Sequence, residues 1–262
     1  MDNHTKKRND DYDWNYNPET YLKGNYEVLI PEDHHLSRVA IHALIDCKGD
    51  AFGTLKHGLH IGIGAVPRGS ALITPFMAHP KSGAKITMGD IGQIKLDATK
   101  KLMASLRSND LGIWQAHEDD MAETNSLWRG TFQAAAHLSE VKELDMFKLK
   151  ENTYDIASAE HLFESATQDP EEYKLSLRRF FRSVKPGGVI HMAYVVGSEG
   201  YTVGGKEYPA YPVMPDEVVR YASEELTNIQ NFFTSASGQM REEKDTHGYK
   251  GLGVLVGIRK TV

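Results

Sequence analysis

The 262-residue chain has a single cysteine, Cys47. No disulfide can close within the chain, and no cysteine-built metal cluster is available. In its apolar helical surroundings Cys47 reads as a small buried hydrophobe. Long apolar runs are missing too: none approaches the ~18 residues needed to span a bilayer. The opening MDNHTKKRNDD has no apolar core, which argues against a signal peptide and makes the cytoplasm the expected location. Dense basic runs are absent. Lys6-Lys7-Arg8 is offset at once by Asp10, Asp11 and Asp13, and the net charge is −6. The electrostatic footprint of a nucleic-acid binder is therefore not there. Paired histidines at metal-ligand spacing are also missing. HEDD at 117–120 lacks a second histidine on the same helical face, so no metal is expected.

What remains is an ordinary globular composition without repeats, low-complexity tracts or linkers. The length suits one α/β domain with an N-terminal elaboration. The polar residues 1–13 read as frayed. Residues 13–29 concentrate Trp14, Tyr16, Tyr21 and Tyr26, either a packing flap or part of a pocket wall. Apolar spacing predicts a helix over 34–47. Strands are predicted at 57–64, 85–89, 141–144, 154–159, after Lys185-Pro186-Gly187-Gly188, and at 229–235 and 253–258. Helices are predicted after Gly64, after Asp90 (Ile94, Ala98, Leu102, Leu106 on one face), over 126–138, over 169–184 and over 215–226. The acidic EDDMAETNS reads as a solvated stretch. This order predicts an α/β, doubly wound sheet of seven strands whose last pair is antiparallel. It divides into an N-terminal lid and helix (1–50) and a main domain (51–262).

Three strand ends carry a coupled signal. Gly62 and Gly64 end the first strand, where glycines let a backbone approach a ligand. Asp90 ends the second, placed to accept from ribose hydroxyls. Asp145, with Met146 and Phe147 behind it, ends the third, where an acid can meet an adenine amino group. The fourth ends in Ala159-Glu160-His161. Singly, each aspartate reads equally as a helix N-cap; at successive strand ends they read as a nucleoside site. A nicotinamide dinucleotide fits poorly, because Pro67 stands at the place of the third glycine of GxGxxG.

Several stretches resemble the nicotinamide / phenylethanolamine / indolethylamine N-methyltransferase family, a group of class I S-adenosylmethionine-dependent methyltransferases. NPETYLKGNY resembles the family's N-terminal NP-x-x-Y-L-x-x-Y-Y box, DIGQIKL its stretch after the second strand, the loop from Glu160 to Asp169 its acidic loop, SEGYTVGGKEYP its S-x-x-Y-x-x-G hairpin, and GLGVLVGIRK its closing strand. The resemblance spans Asn17 to Lys260, with a divergent middle at 105–140. It implies a Rossmann-like methyltransferase sheet with an N-terminal helical lid, and S-adenosylmethionine as cofactor, leaving S-adenosylhomocysteine. Tyr21 and Tyr26 would close over the ligands. Gly62 and Gly64 would line the methionine and ribose, Asp90 with Ile91 the ribose, Asp145 with Met146 the adenine, and Ala159 the fourth-strand wall. His60 departs from the pattern, standing where the family carries an acid.

For the acceptor, the resemblance places Glu164 and Glu199 where the phenylethanolamine branch binds its amine. Both are expected as catalytic carboxylates, able to bind a cation and to take its proton. Tyr194, Ser198, Tyr201 and Tyr211, with Tyr21, would wall the acceptor pocket and face a cationic nitrogen. His161, His191 and His247 are possible proton shuttles. The expected reaction is N-methylation of a small cationic or aromatic amine, or of a guanidine, by a monomer or homodimer. Methylation of oxygen, carbon or a heteroaromatic nitrogen, or a methyltransferase-like binding protein without turnover, stays open.

Overall fold

The computed structural model describes residues 8–14, 16–236 and 246–261, with side chains at 246 and 247 left out. Helix α1 (Pro18–Tyr26) is capped by Asn17, whose side chain accepts from Glu19 N, and has Pro at its first position. Helix α2 (Pro31–Lys48) follows. Strand β1 (His57–Ile61), helix α3 (Arg68–Ile73), strand β2 (Lys85–Asp90) and helix α4 (Gln93–Arg107) open the alternating part. Then come α5 (Trp114–Thr124), α6 (Thr131–Leu138), β3 (Ser139–Glu143), β4 (Tyr154–Glu160), α7 (Pro170–Ser183) and β5 (Val184–Val196). A hairpin of β6 (Gly200–Val203) and β7 (Lys206–Pro209), helix α8 (Pro215–Glu225), β8 (Leu226–Ser235), β9 (Thr246–His247) and β10 (Gly251–Arg259) complete it.

The seven-stranded sheet has the order β3-β2-β1-β4-β5-β10-β8. β1 to β5 pair in parallel, and β10 is antiparallel to both β5 and β8. Strand order reverses between β1 and β4, where ligands bind in open α/β sheets. The alternation of side chains across each strand feeds two cores. Ile86, Met88, Ile156 and Val254 pack beneath α2 to α6; Leu59, Ile61, Ala157 and Met192 pack beneath α7 and α8. A separate small sheet, β7-β6-β9, stands beside the strand ends.

Three expectations need correction. The acidic stretch read as solvated lies largely in helix α5, with Glu118 and Asp120 buried. Glu118 accepts from Gly130 N (2.9 Å) and Phe132 N (3.1 Å), satisfying open donors at the start of α6, and Asp120 pairs with His34. Asp119 and Glu123 on the same helix stay exposed, so the stretch is solvated on one face only. Secondly, Lys185-Pro186-Gly187-Gly188 lies inside β5 and not ahead of it; pairing with β4 shifts register there, between Tyr154 and Ile156. Thirdly, part of the stretch read as frayed is docked: Arg8 Nε and Asn9 N both donate to Glu172 (2.9 and 3.0 Å). Residues 1–7 of that stretch lie outside the described residues.

Candidate active site

At the β1/β4 reversal opens a cavity of about 570 Å³, within the roughly 300–1,000 Å³ usual for cofactor-sized ligands. Gly62 and Gly64 form its floor with φ of +71° and +48°, conformations that favour glycine. A Cβ on Gly62 would stand 2.6 Å from Leu162 Cδ1, so the loop keeps its close approach only without a side chain. Asp90 Oδ2 accepts from Gly64 N (3.1 Å) and Oδ1 from Gly92 N (2.9 Å). Lys95 Nζ meets Oδ1 at 2.8 Å. Asp145 does both jobs its position allows: it caps the turn at 146–148 by accepting from Phe147 N (2.9 Å), and it lines the cavity with Met146.

The roof is aromatic. Trp14, Tyr16, Tyr21, Tyr26 and Tyr201 all line it. Ring centroids lie 6.2 Å apart for Tyr16–Tyr21 and 5.9 Å for Tyr21–Tyr26, and Tyr208 stacks on Tyr201 at 5.4 Å. The phenols of Tyr16 and Tyr201 are pushed well above their ordinary range, by burial first, so they stay neutral donors. Lys95 sits under this roof, 5.3 Å from the Tyr16 ring centroid and 6.0 Å from that of Trp14. It joins the aromatic roof to the acid at the end of β2.

The histidines separate clearly. His161 lines the cavity at a corner with φ 51°, just past β4. His60 is buried at the floor, exchanges a hydrogen bond with Ser70 Oγ (3.0 Å), and burial pushes its pKa down to about 3. His191 is buried against Ser158 Oγ (2.9 Å), is likewise at about 3 through burial, and does not line the cavity. The side chain of His247 lies outside the described residues.

Tyr21, Tyr26, His60, Gly62 and Gly64 all meet at the cavity, as do Asp90, Ile91, Asp145, Met146, Ser198 and Tyr201. Five expected residues do not. Ala159 faces the α7/α8 core. Glu199 is exposed outside the wall, and among the described residues its carbonyl accepts from Gln168 Nε2 (3.1 Å). Tyr211 leans outward, donating to Glu217 Oε1 (2.9 Å) and stacking on Tyr173. Tyr194 is fully buried and donates to Asn231 Oδ1 (2.8 Å); its ring fills the space a side chain at Gly253 would take. Glu164 turns inward to accept from Val195 N (2.8 Å). Lys95 was not anticipated, and Glu160 was noted at the fourth strand end without a role; both line the cavity. The spacing of Lys95, five residues after Asp90 and in the first turn of α4, was the available signal for the first.

Burial holds the Glu164 carboxyl at about 7, against the pull of the Val195 N–H. The raised value means that this group supports the fold when neutral, and that this support is lost as pH rises through about 7. Glu164→Gln keeps an acceptor for Val195 N and removes the charge. We expect the variant to be more stable than the parent by about 3 kcal/mol at pH 8 and nearly equal at pH 4.5. Thermal denaturation at the two pH values measures this; equal gains at both would show that ionisation is not involved.

No protein-family model matches the chain, and no curated protein matches it. Solved structures do share its fold. The N-methyltransferase NodS from Bradyrhizobium japonicum WM9, in complex with S-adenosylhomocysteine, aligns over 94% of both chains at TM-score 0.50 and 11% identity. A putative sarcosine dimethylglycine methyltransferase from Galdieria sulphuraria aligns over 86% of this chain and 84% of its own at TM-score 0.53 and 11% identity. The [4+2]-cyclase SpnF aligns over 88% of this chain and 82% of its own at TM-score 0.50 and 14% identity. The chain therefore has the Rossmann-like fold of class I S-adenosylmethionine-dependent methyltransferases. The cyclase shows that this fold also hosts other chemistry. Among the described residues no group of three or more His, Cys, Asp or Glu could hold a metal ion.

Proposed function

We propose that the chain is an S-adenosylmethionine-dependent methyltransferase that methylates the nitrogen of a small amine held under the tyrosine roof. The observation that carries this is the convergence of Gly62, Gly64, Asp90 and Asp145 around one cavity closed by Tyr16, Tyr21, Tyr26 and Tyr201. Gly62 and Gly64 hold left-handed backbone at the cavity floor, and the space beside Gly64 is open, which fits a ligand pressed against backbone. Bound there, S-adenosylmethionine supplies an electrophilic methyl carbon on a sulfonium. Asp90 would accept from the ribose hydroxyls, and Asp145 with Met146 would hold the adenine. Residues 1–50 would act as the lid and 51–262 as the binding domain. The lid's rings offer π-faces to a cationic amine and keep water out. An amine must shed a proton before it can act as nucleophile. His161 lines the cavity, and in this reading it serves as the base in place of the Glu164 and Glu199 expected from the resemblance.

A second acceptor class is favoured by one observation. The carboxylates lining the cavity are Asp90, Asp145 and Glu160, all at strand ends beneath the cofactor half. Besides His161, the remaining described lining under the roof offers tyrosine rings, hydroxyls and backbone but no carboxylate, which also suits a phenol. A mass-spectrometric screen of amines, guanidines and phenols, incubated with the methyl donor, tests both. A gain of one methylene on amines supports the first reading and a gain on phenols alone the second; no gain on any, with no thermal shift from S-adenosylhomocysteine, ends both. With an acceptor in hand, His161→Ala is expected to lower kcat by about 10²- to 10³-fold while the Kd for S-adenosylhomocysteine changes less than about twofold. An unchanged kcat would remove His161 as the base.

A further inference from the structure

Glu160 closes β4, one residue beyond the Ile61–Ala159 pairing that aligns β4 with β1, and so lies beside Gly62. It lines the cavity. Its Oε1 accepts from Arg68 Nε (3.0 Å), and the Gly69 N–H also favours its ionised form. Its Oε2 is buried without a hydrogen-bond partner. Arg68 is shared: its Nη1 donates to Asp33 Oδ1 on α2 (2.9 Å). The guanidinium and both carboxylates are at most 4% exposed.

Charge counting singles this group out. One guanidinium faces two carboxylates. The titratable groups packed around it add no cation: His60 on β1 and His191 on β5 are held neutral by burial, His117 on α5 is pushed the same way, and the Tyr26 phenol on α1 is pushed up by burial. The other two lining carboxylates each have a cation of their own, Lys95 for Asp90 and Lys148 for Asp145, both at 2.8 Å. Glu160 alone among the three must share its counter-charge with a second acid. Leaving a buried charge uncompensated is costly, and burial accordingly pushes the Glu160 carboxyl up in spite of Arg68.

We propose that Glu160 receives the primary ammonium at the amino-acid end of the bound cofactor, with Arg68 and Asp33 holding the carboxylate in place. This rests on the cofactor reading above. The arriving ammonium gives two cations for two carboxylates and offers donors to the unpartnered oxygen. His60, held neutral by burial and paired through Nδ1 with Ser70, offers no negative charge to this end of the ligand. Glu160 on the adjacent strand takes the task.

The test compares two nucleosides by calorimetry. S-adenosylhomocysteine carries the amino-acid end; 5′-methylthioadenosine lacks it. Glu160→Gln is expected to weaken the first by about 10- to 100-fold and to change the second less than about twofold. Equal losses for both, or no loss for either, overturn the assignment. A wild-type protein that binds neither nucleoside overturns the cofactor reading, and this proposal with it. Should the variant not fold, the wild type decides alone. Neutralising Glu160 with an ammonium lowers its pKa, so S-adenosylhomocysteine should release protons on binding at mildly acidic pH, read from binding heats in buffers of different ionisation enthalpy. The analogue without the amino group should release fewer. Equal release by the two overturns the proposal.

Discussion

Asp90→Ala is expected to abolish the thermal shift given by S-adenosylhomocysteine and to weaken its Kd by at least about 100-fold. The size follows from three simultaneous losses. The Gly64 and Gly92 N–H groups that Asp90 ties together lose their acceptor, so the glycine floor is no longer fixed. The acceptors proposed for the ribose hydroxyls disappear. Lys95, about 8% exposed at its side chain, is left without its carboxylate beneath the lid. Removing one member of a buried pair costs about 3–5 kcal/mol, so the parent fold should weaken as well. Lys95→Met separates the two effects: it spares the acid and removes the competing ammonium, and cofactor affinity should persist. Calorimetry on both variants measures this. Retained affinity in Asp90→Ala would mean that the second strand end does not hold the ligand.

Arg68→Leu should be strongly destabilising. The guanidinium is nearly fully buried between Asp33 and Glu160, and its loss leaves two carboxylates facing each other in the interior. About 3–5 kcal/mol is expected, a fall in Tm of about 10 °C for a domain of this size. The deficit carries a pH signature. Without Arg68 both carboxyls are raised in the fold above their unfolded values. The deficit is therefore smallest at pH below the ordinary carboxylate range and grows as pH rises. Thermal melts across pH check the slope. A uniform loss at every pH would point to packing of the side chain's stem, not to its charge.

Much of the fold could be read from the chain because its signals are local. Helix α7 shows an Asp169 cap, Pro170 at the first position, and Tyr173, Leu177, Phe180 and Phe181 on one face. The apolar strands and their terminal Gly62, Gly64, Asp90 and Asp145 fall where pattern and punctuation place them. What escaped depends on pairing across the chain. Glu118 reads as solvated until α6 supplies the N–H groups that it caps. Arg68 and Glu160 are 92 residues apart, and Arg68 and Asp33 are 35 apart; nothing near either acid announces the guanidinium. Glu164 and Tyr211 keep the right residue type at the expected places, yet their side chains are satisfied elsewhere, by Val195 N and by Glu217. Which way a loop side chain turns is decided by such partners, and spacing does not record them.

The left-handed corner at His161 has a consequence for anyone improving this protein in the laboratory. A residue with a side chain is held there in a conformation that costs of order 1 kcal/mol or more. Selection for heat resistance alone would relieve that cost by installing glycine, and would remove the imidazole from the cavity as it did so. Hardier descendants would then be silent ones, and any such campaign has to score turnover beside survival.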